Sequence, residues 1–95
     1  MPSTPDPTHL SGSHRDTLSQ LFRHPISHNI EWPAVLSLLR AVGTVEERHD
    51  GKYLVTIGNE SEVFERPLHK DIDTTTVTDL RRMLRTAGYA SQDED

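Results

Sequence analysis

Apolar side chains recur at helical spacing in three stretches of this chain and alternate in a fourth. In "SHRDTLSQLFRHP" Ser13 offers an N-cap, Leu18, Leu21 and Phe22 follow at helical spacing, and Pro25 ends the pattern, which predicts a short helix. In "HNIEWPAVLSLLRAVG" Pro33 suits a first helical turn, Trp32, Val35, Leu36, Leu39 and Val42 share a face, and Gly43 supplies the stop. A helix over 31–42 is expected. Next, "TVEER" and "KYLVTI" flank His49-Asp50-Gly51, with Tyr53, Val55 and Ile57 alternating with Lys52, Leu54 and Thr56, the signature of a hairpin. Gly58-Asn59 turns the chain into "ESEVFER", whose charges suit an edge strand ending at Pro67. Finally Asp73 is an N-cap for a helix over 74–87, with Val77, Leu80, Leu84 and Ala87 as its stripe and Gly88 as its stop.

Two amphipathic helices of this kind bury their stripes by lying on one face of a three-stranded antiparallel meander. The fold class expected is therefore α+β, with a short extra N-terminal helix. No internal repeat is visible. Residues 1–13 hold three of the six prolines and almost no apolar side chains, so a mobile tail is expected there, followed by a helix and linker over 14–29. A compact domain over 30–89 and an acidic tail over 90–95 complete the division.

Composition narrows the chemistry. A chain of 95 residues supports one modest core. Zero cysteines exclude disulfides, thiolate zinc sites and thiol nucleophiles, and no stretch approaches the ~20 apolar residues of a membrane span. The N-terminal sequence has neither an apolar signal core nor an Arg-rich transit pattern, so a cytoplasmic location with no membrane contact is expected. The net charge of −5 argues against a broad basic footprint, but much of it sits in the tails, and the stretch from His24 to Tyr89 is nearly balanced. His24 and His28 stand four apart, yet Pro25 interrupts a helix there and no third ligand is evident, so no metal site is expected.

The segments "IEWPAVLSLLRAVG" and "RPLHKDIDTTTVTDLRRMLRTAGY" resemble the HicA family of small bacterial toxin ribonucleases, over roughly residues 30 to 89. Pro67, His69, Thr76, Leu80, Arg81, Leu84, Ala87 and Gly88 carry the likeness position by position. The resemblance implies a double-stranded-RNA-binding-domain-like α-β-β-β-α sandwich, which agrees with the order read from periodicity. It also implies RNA as substrate, metal-independent cleavage without a cofactor, and a HicB-like antitoxin protein as partner. The family's catalytic histidine lies on its second strand in a Gly-Ser-His; here the stretch is Gly51-Lys52-Tyr53.

The candidate catalytic residues are accordingly His69, His49 and Tyr53. Metal-free RNA cleavage needs a group titrating near neutrality to take the 2′-hydroxyl proton, and an unperturbed tyrosine at pKa ~10 is a poor base. Plainer readings stand beside these: a core ring for Tyr53, a solvated turn for His49, a loop scaffold for His69. For RNA contact the candidates are Arg48, Lys52, Lys70, Arg81 and Arg82, with Lys70 near the free N–H groups of the last helix. Asp79, three residues before Arg82, offers a helix-surface pair instead, and Glu46, Glu47, Glu60, Glu62 and Glu65 crowd the strands. A reading from a different class is a noncatalytic protein-interaction module that docks a partner through the sheet face or along "ESEVFER".

Overall fold

The computed structural model describes residues 10–89. They form three helices and three strands in the order α1 (Gly12–Leu21), α2 (Trp32–Val42), β1 (Thr44–Glu47), β2 (Lys52–Ile57), β3 (Glu60–Glu65) and α3 (Thr74–Thr86). The strands make an antiparallel sheet with β2 in the middle, an α+β architecture as expected.

Strand alternation decides what each face of the sheet meets. Register places Val45, Val55 and Glu62 in one cross-strand row and Glu47, Tyr53 and Phe64 in the next, both turned to the helices. Tyr53, Val55, Ile57 and Phe64 are buried on that face against Trp32, Val35, Leu38 and Leu39 of α2 and Val77, Leu80, Met83 and Leu84 of α3. The opposite face carries Glu46, Leu54 and Val63 in one row and Thr44, Thr56 and Ser61 in another, with Thr56 and Ser61 joined by a 2.8 Å hydroxyl contact. No helix covers it among the described residues. The alternation thus gave the strand faces correctly, whereas the helical stripe expected on α2 omitted Leu38, which is fully buried.

The first helix departs most from expectation. Its N-cap is Ser11, not Ser13: the Ser11 hydroxyl accepts the His14 N–H at 3.2 Å, and Ser13 lies inside the first turn. The helix therefore begins within the stretch expected as tail, while residues 1–9 and 90–95 lie outside the described residues. Nor is α1 an appendage. Leu18, Leu21 and Phe22 are buried in the same core as α2 and α3, so the compact unit extends well before residue 30. Arg81 of α3 fastens the far end, its guanidinium donating to the Leu21 and Arg23 carbonyl oxygens that the end of α1 leaves without helical partners.

Helix termini elsewhere follow the local chemistry. The Asp73 carboxylate accepts the Thr76 N–H at 2.9 Å at the start of α3. At its end Gly88, with φ +94°, lets Tyr89 N–H reach Leu84 O at 2.8 Å and Gly88 N–H reach Arg85 O at 3.0 Å, the paired bonds of a Schellman stop. Gly43 after α2 has a different reason for being glycine. Its backbone is extended, but a Cβ there would overlap the Thr56 carbonyl oxygen and lie 3.3 Å from the Ile57 Cα, so only glycine lets α2 feed β1 this close to β2.

Candidate functional site

The end of the sheet away from the Gly58-Asn59 turn gathers most of the candidate residues. The β1–β2 turn closes through Arg48 N–H to Lys52 O at 2.8 Å, and Arg66 N–H reaches Gly51 O at 3.3 Å, so the chain leaving β3 passes beside that turn. Arg48, His49, Lys52, Tyr53 and Arg66 are thereby brought to one end. The loop from Pro67 to Ile72 follows, and it is anchored to the strand-like segment before α2: Ile72 N–H donates to Ile30 O at 2.9 Å and Trp32 N–H to Lys70 O at 3.4 Å. Ile30 and Ile72 are both buried, which holds the loop's base while His69 and Lys70 stay exposed.

Tyr53 is buried, with 3% of its surface exposed. Its ring meets Trp32 edge to face, centroids 5.4 Å apart at 70°. The hydroxyl accepts a 3.0 Å hydrogen bond from Arg66, whose guanidinium also lies over the ring at 5.9 Å and bonds Glu47 at 3.3 Å. The Tyr53 hydroxyl, and beyond it the Tyr53 and Glu47 charges, hold the Arg66 pKa above its ordinary value. Beneath them the buried Trp32 indole N–H has no hydrogen-bond partner among the described residues. Arg66 was missed as a site residue in the sequence because it closes a strand next to a proline. Its meaning comes from Tyr53 and Glu47, which are distant in the chain.

His69 lies on a cleft of about 290 Å³ between the end of β3 and the start of α3. Arg66 lines it too, but so do Glu65, Asp71 and Asp73. The Thr76 N–H holds the Asp73 carboxyl below its usual pKa, so this acid is charged at neutral pH and already occupies one of the N–H groups expected to be free for phosphate. Lys70 turns away to Glu31, Nζ 3.6 Å from the carboxylate, an exposed pair. Leu68, on the rim, is 96% exposed.

Two of the three arginines expected to face RNA are bound within the molecule. Arg81 spends its guanidinium on the α1 carbonyls. Arg82 pairs with Glu60 and, at 2.6 Å, with Glu62 on β3, not chiefly with Asp79. The Glu60 hydrogen bond leads the causes that raise the Arg82 pKa, with the charges of Glu60, Glu62 and Asp79 adding to it. That clamp lies toward the Gly58-Asn59 turn, at the other end of the sheet from His49. Arg48 and His49 remain exposed on the β1–β2 turn, beside Glu46, Glu47 and Asp50.

Arg81 is thus taken up by backbone and most of the other candidate bases lie beside acids, so among the described residues a polyanion meets no continuous basic track. Among the described residues no three His, Asp or Glu side chains are clustered to hold a metal ion. No helix among them is long and apolar enough to cross a membrane. Comparison with protein-family models, with curated proteins and with solved structures finds no match.

Proposed function

We propose that this chain is a divergent HicA-like domain, double-stranded-RNA-binding-domain-like in fold and cytoplasmic, that works as a noncatalytic protein-interaction module. The observation that carries this reading is Tyr53. At the position where the resemblance puts the catalytic histidine stands a buried ring whose hydroxyl is held by Arg66. A ring so buried, with its hydroxyl taken up by Arg66, has no open path to a 2′-hydroxyl. Arg81 and Arg82, engaged with α1 and β3, serve the fold. The uncovered sheet face and the β3 edge are open to a partner, and a HicB-like antitoxin protein is the one the resemblance puts first.

A second reading, RNA binding with metal-free cleavage, has one observation in its favour: His69 and Arg66 share a cleft at the end of the sheet. One experiment separates the two. Purified protein is incubated with total mRNA and with a labelled RNA from pH 5 to 8, alongside His69→Ala and Lys70→Ala. The interaction-module reading expects intact RNA at every pH, weak binding at physiological salt, and no difference between parent and variants. Cleavage lost in His69→Ala, or a salt slope reduced by about one in Lys70→Ala, would establish the RNA reading in its place.

A further inference from the structure

The outer edge of β3 has a hydrogen-bonding pattern that can be read from the turn that precedes it. Ile57 and Glu60 flank the two-residue Gly58-Asn59 turn, and Arg66 N–H donates to Gly51 O, so the pairs exchanging bonds with β2 are 57 with 60, 55 with 62, 53 with 64 and 51 with 66. The N–H and C=O groups of Ser61, Val63 and Glu65 consequently point away from β2, and no other strand lies against them among the described residues. The side chains of the same three residues stand on the uncovered face, Val63 being 45% exposed beside Leu54.

We propose that this edge pairs with the same edge of a second copy of the chain, antiparallel about a two-fold axis at Val63, to give a continuous six-stranded sheet. The inference rests on the interaction-module reading and assigns the β3 edge to a second copy, leaving the uncovered sheet face for a partner of another kind. Registers that place outward amides opposite one another differ in what they bring together. Centring on Glu62 sets Glu62 against Glu62 of the second copy. Centring on Phe64 puts Ser61 opposite Pro67, which has no N–H to give. Centring on Val63 sets valine against valine, Ser61 against Glu65, Glu62 against Phe64 and Glu60 against Arg66, so no acid directly faces an acid and about six backbone hydrogen bonds close. Leu54 and Val63 of both copies then form one apolar row across the joined face. Such an isologous contact is small, and each copy carries a net charge of −5, so the dimer is weak and tightens as salt screens the repulsion.

The test is sedimentation of the full chain from about 10 μM to about 1 mM at low and high salt, with isotope-filtered NOE spectra on mixed labelled and unlabelled protein. Expected are a concentration-dependent dimer favoured by salt, an intermolecular Val63 to Val63 contact, and dimerisation weakened at least about tenfold in Val63→Pro, which removes an outward N–H and the valine side chain together. Val63→Lys, which keeps the backbone donor, checks that the effect is not a folding defect and should also disfavour the dimer. A monomer at every concentration, or a dimer indifferent to both substitutions, overturns the proposal. A monomer that leaves RNA intact overturns only the self-pairing; RNA cleavage overturns the interaction-module reading whatever the oligomeric state.

Discussion

Truncating Leu21 to alanine asks whether α1 belongs to the core or merely rests on it. Leu21 has no exposed surface and lies in one cluster with Phe22, Val35, Leu38 and Leu39, so the substitution removes three buried carbons and leaves a cavity. The cost is ~2–5 kcal/mol, a large part of the stability of a domain this size, at the lower end of the usual ~5–15 kcal/mol. Arg81→Met should add a smaller loss, ~1–3 kcal/mol, by leaving the Leu21 and Arg23 carbonyls without their charged donor. The chain's only tryptophan makes the assay decisive, because Trp32 is buried in α2 and not in α1. Urea unfolding is followed by Trp32 fluorescence and by far-UV circular dichroism. With a slope of ~1 kcal/mol/M, Leu21→Ala should lower both midpoints together by about 2 M or more. A Trp32 midpoint within about 0.5 M of the parent's, with helical signal lost separately, would refute the argument that α1 is part of the cooperative unit.

Other substitutions probe single elements. Asp73→Ala should cost ~0.5–2 kcal/mol at pH 7 by removing the α3 cap. Because the folded Asp73 carboxyl sits below its ordinary pKa, its charged contribution is present above the unfolded value near ~3.9 and lost as pH falls through the folded one. The gap between parent and variant should therefore narrow below about pH 4 in thermal melts, and a gap constant to pH 2 would contradict this. Gly43→Ala should destabilise by ~1–3 kcal/mol or more, since the new Cβ meets the rigid Thr56 backbone; a melting temperature equal to the parent's would show that α2 and β1 can shift apart.

Short-range chemistry was legible in the sequence. Asp73 and Gly88 bound α3 as caps because capping needs only neighbours three or four residues away, and β2 declared its buried face through Tyr53, Val55 and Ile57. What the sequence hid depends on residues far apart. Ser11 and Ser13 are equivalent as caps until Leu10 and Thr17 are seen to pack, and a helix with only Leu18, Leu21 and Phe22 looks marginal until α2 and α3 cover it. Arg81 and Arg82 read as solvent-facing cations; the carbonyls of Leu21 and Arg23 and the carboxylates of Glu60 and Glu62 that claim them are more than fifty and about twenty residues away. The Arg66 contact with Tyr53 is of the same kind. Periodicity assigns a side chain to a face and is silent about which partner waits there.

Whether the proposed module binds a partner without cutting RNA is decided by induced expression in a bacterial host, with growth and total mRNA followed over time. A noncatalytic module leaves growth unchanged and transcripts stable, for the parent and for His69→Ala alike. Growth arrest with rapid loss of mRNA, relieved by His69→Ala at equal protein level, would contradict it.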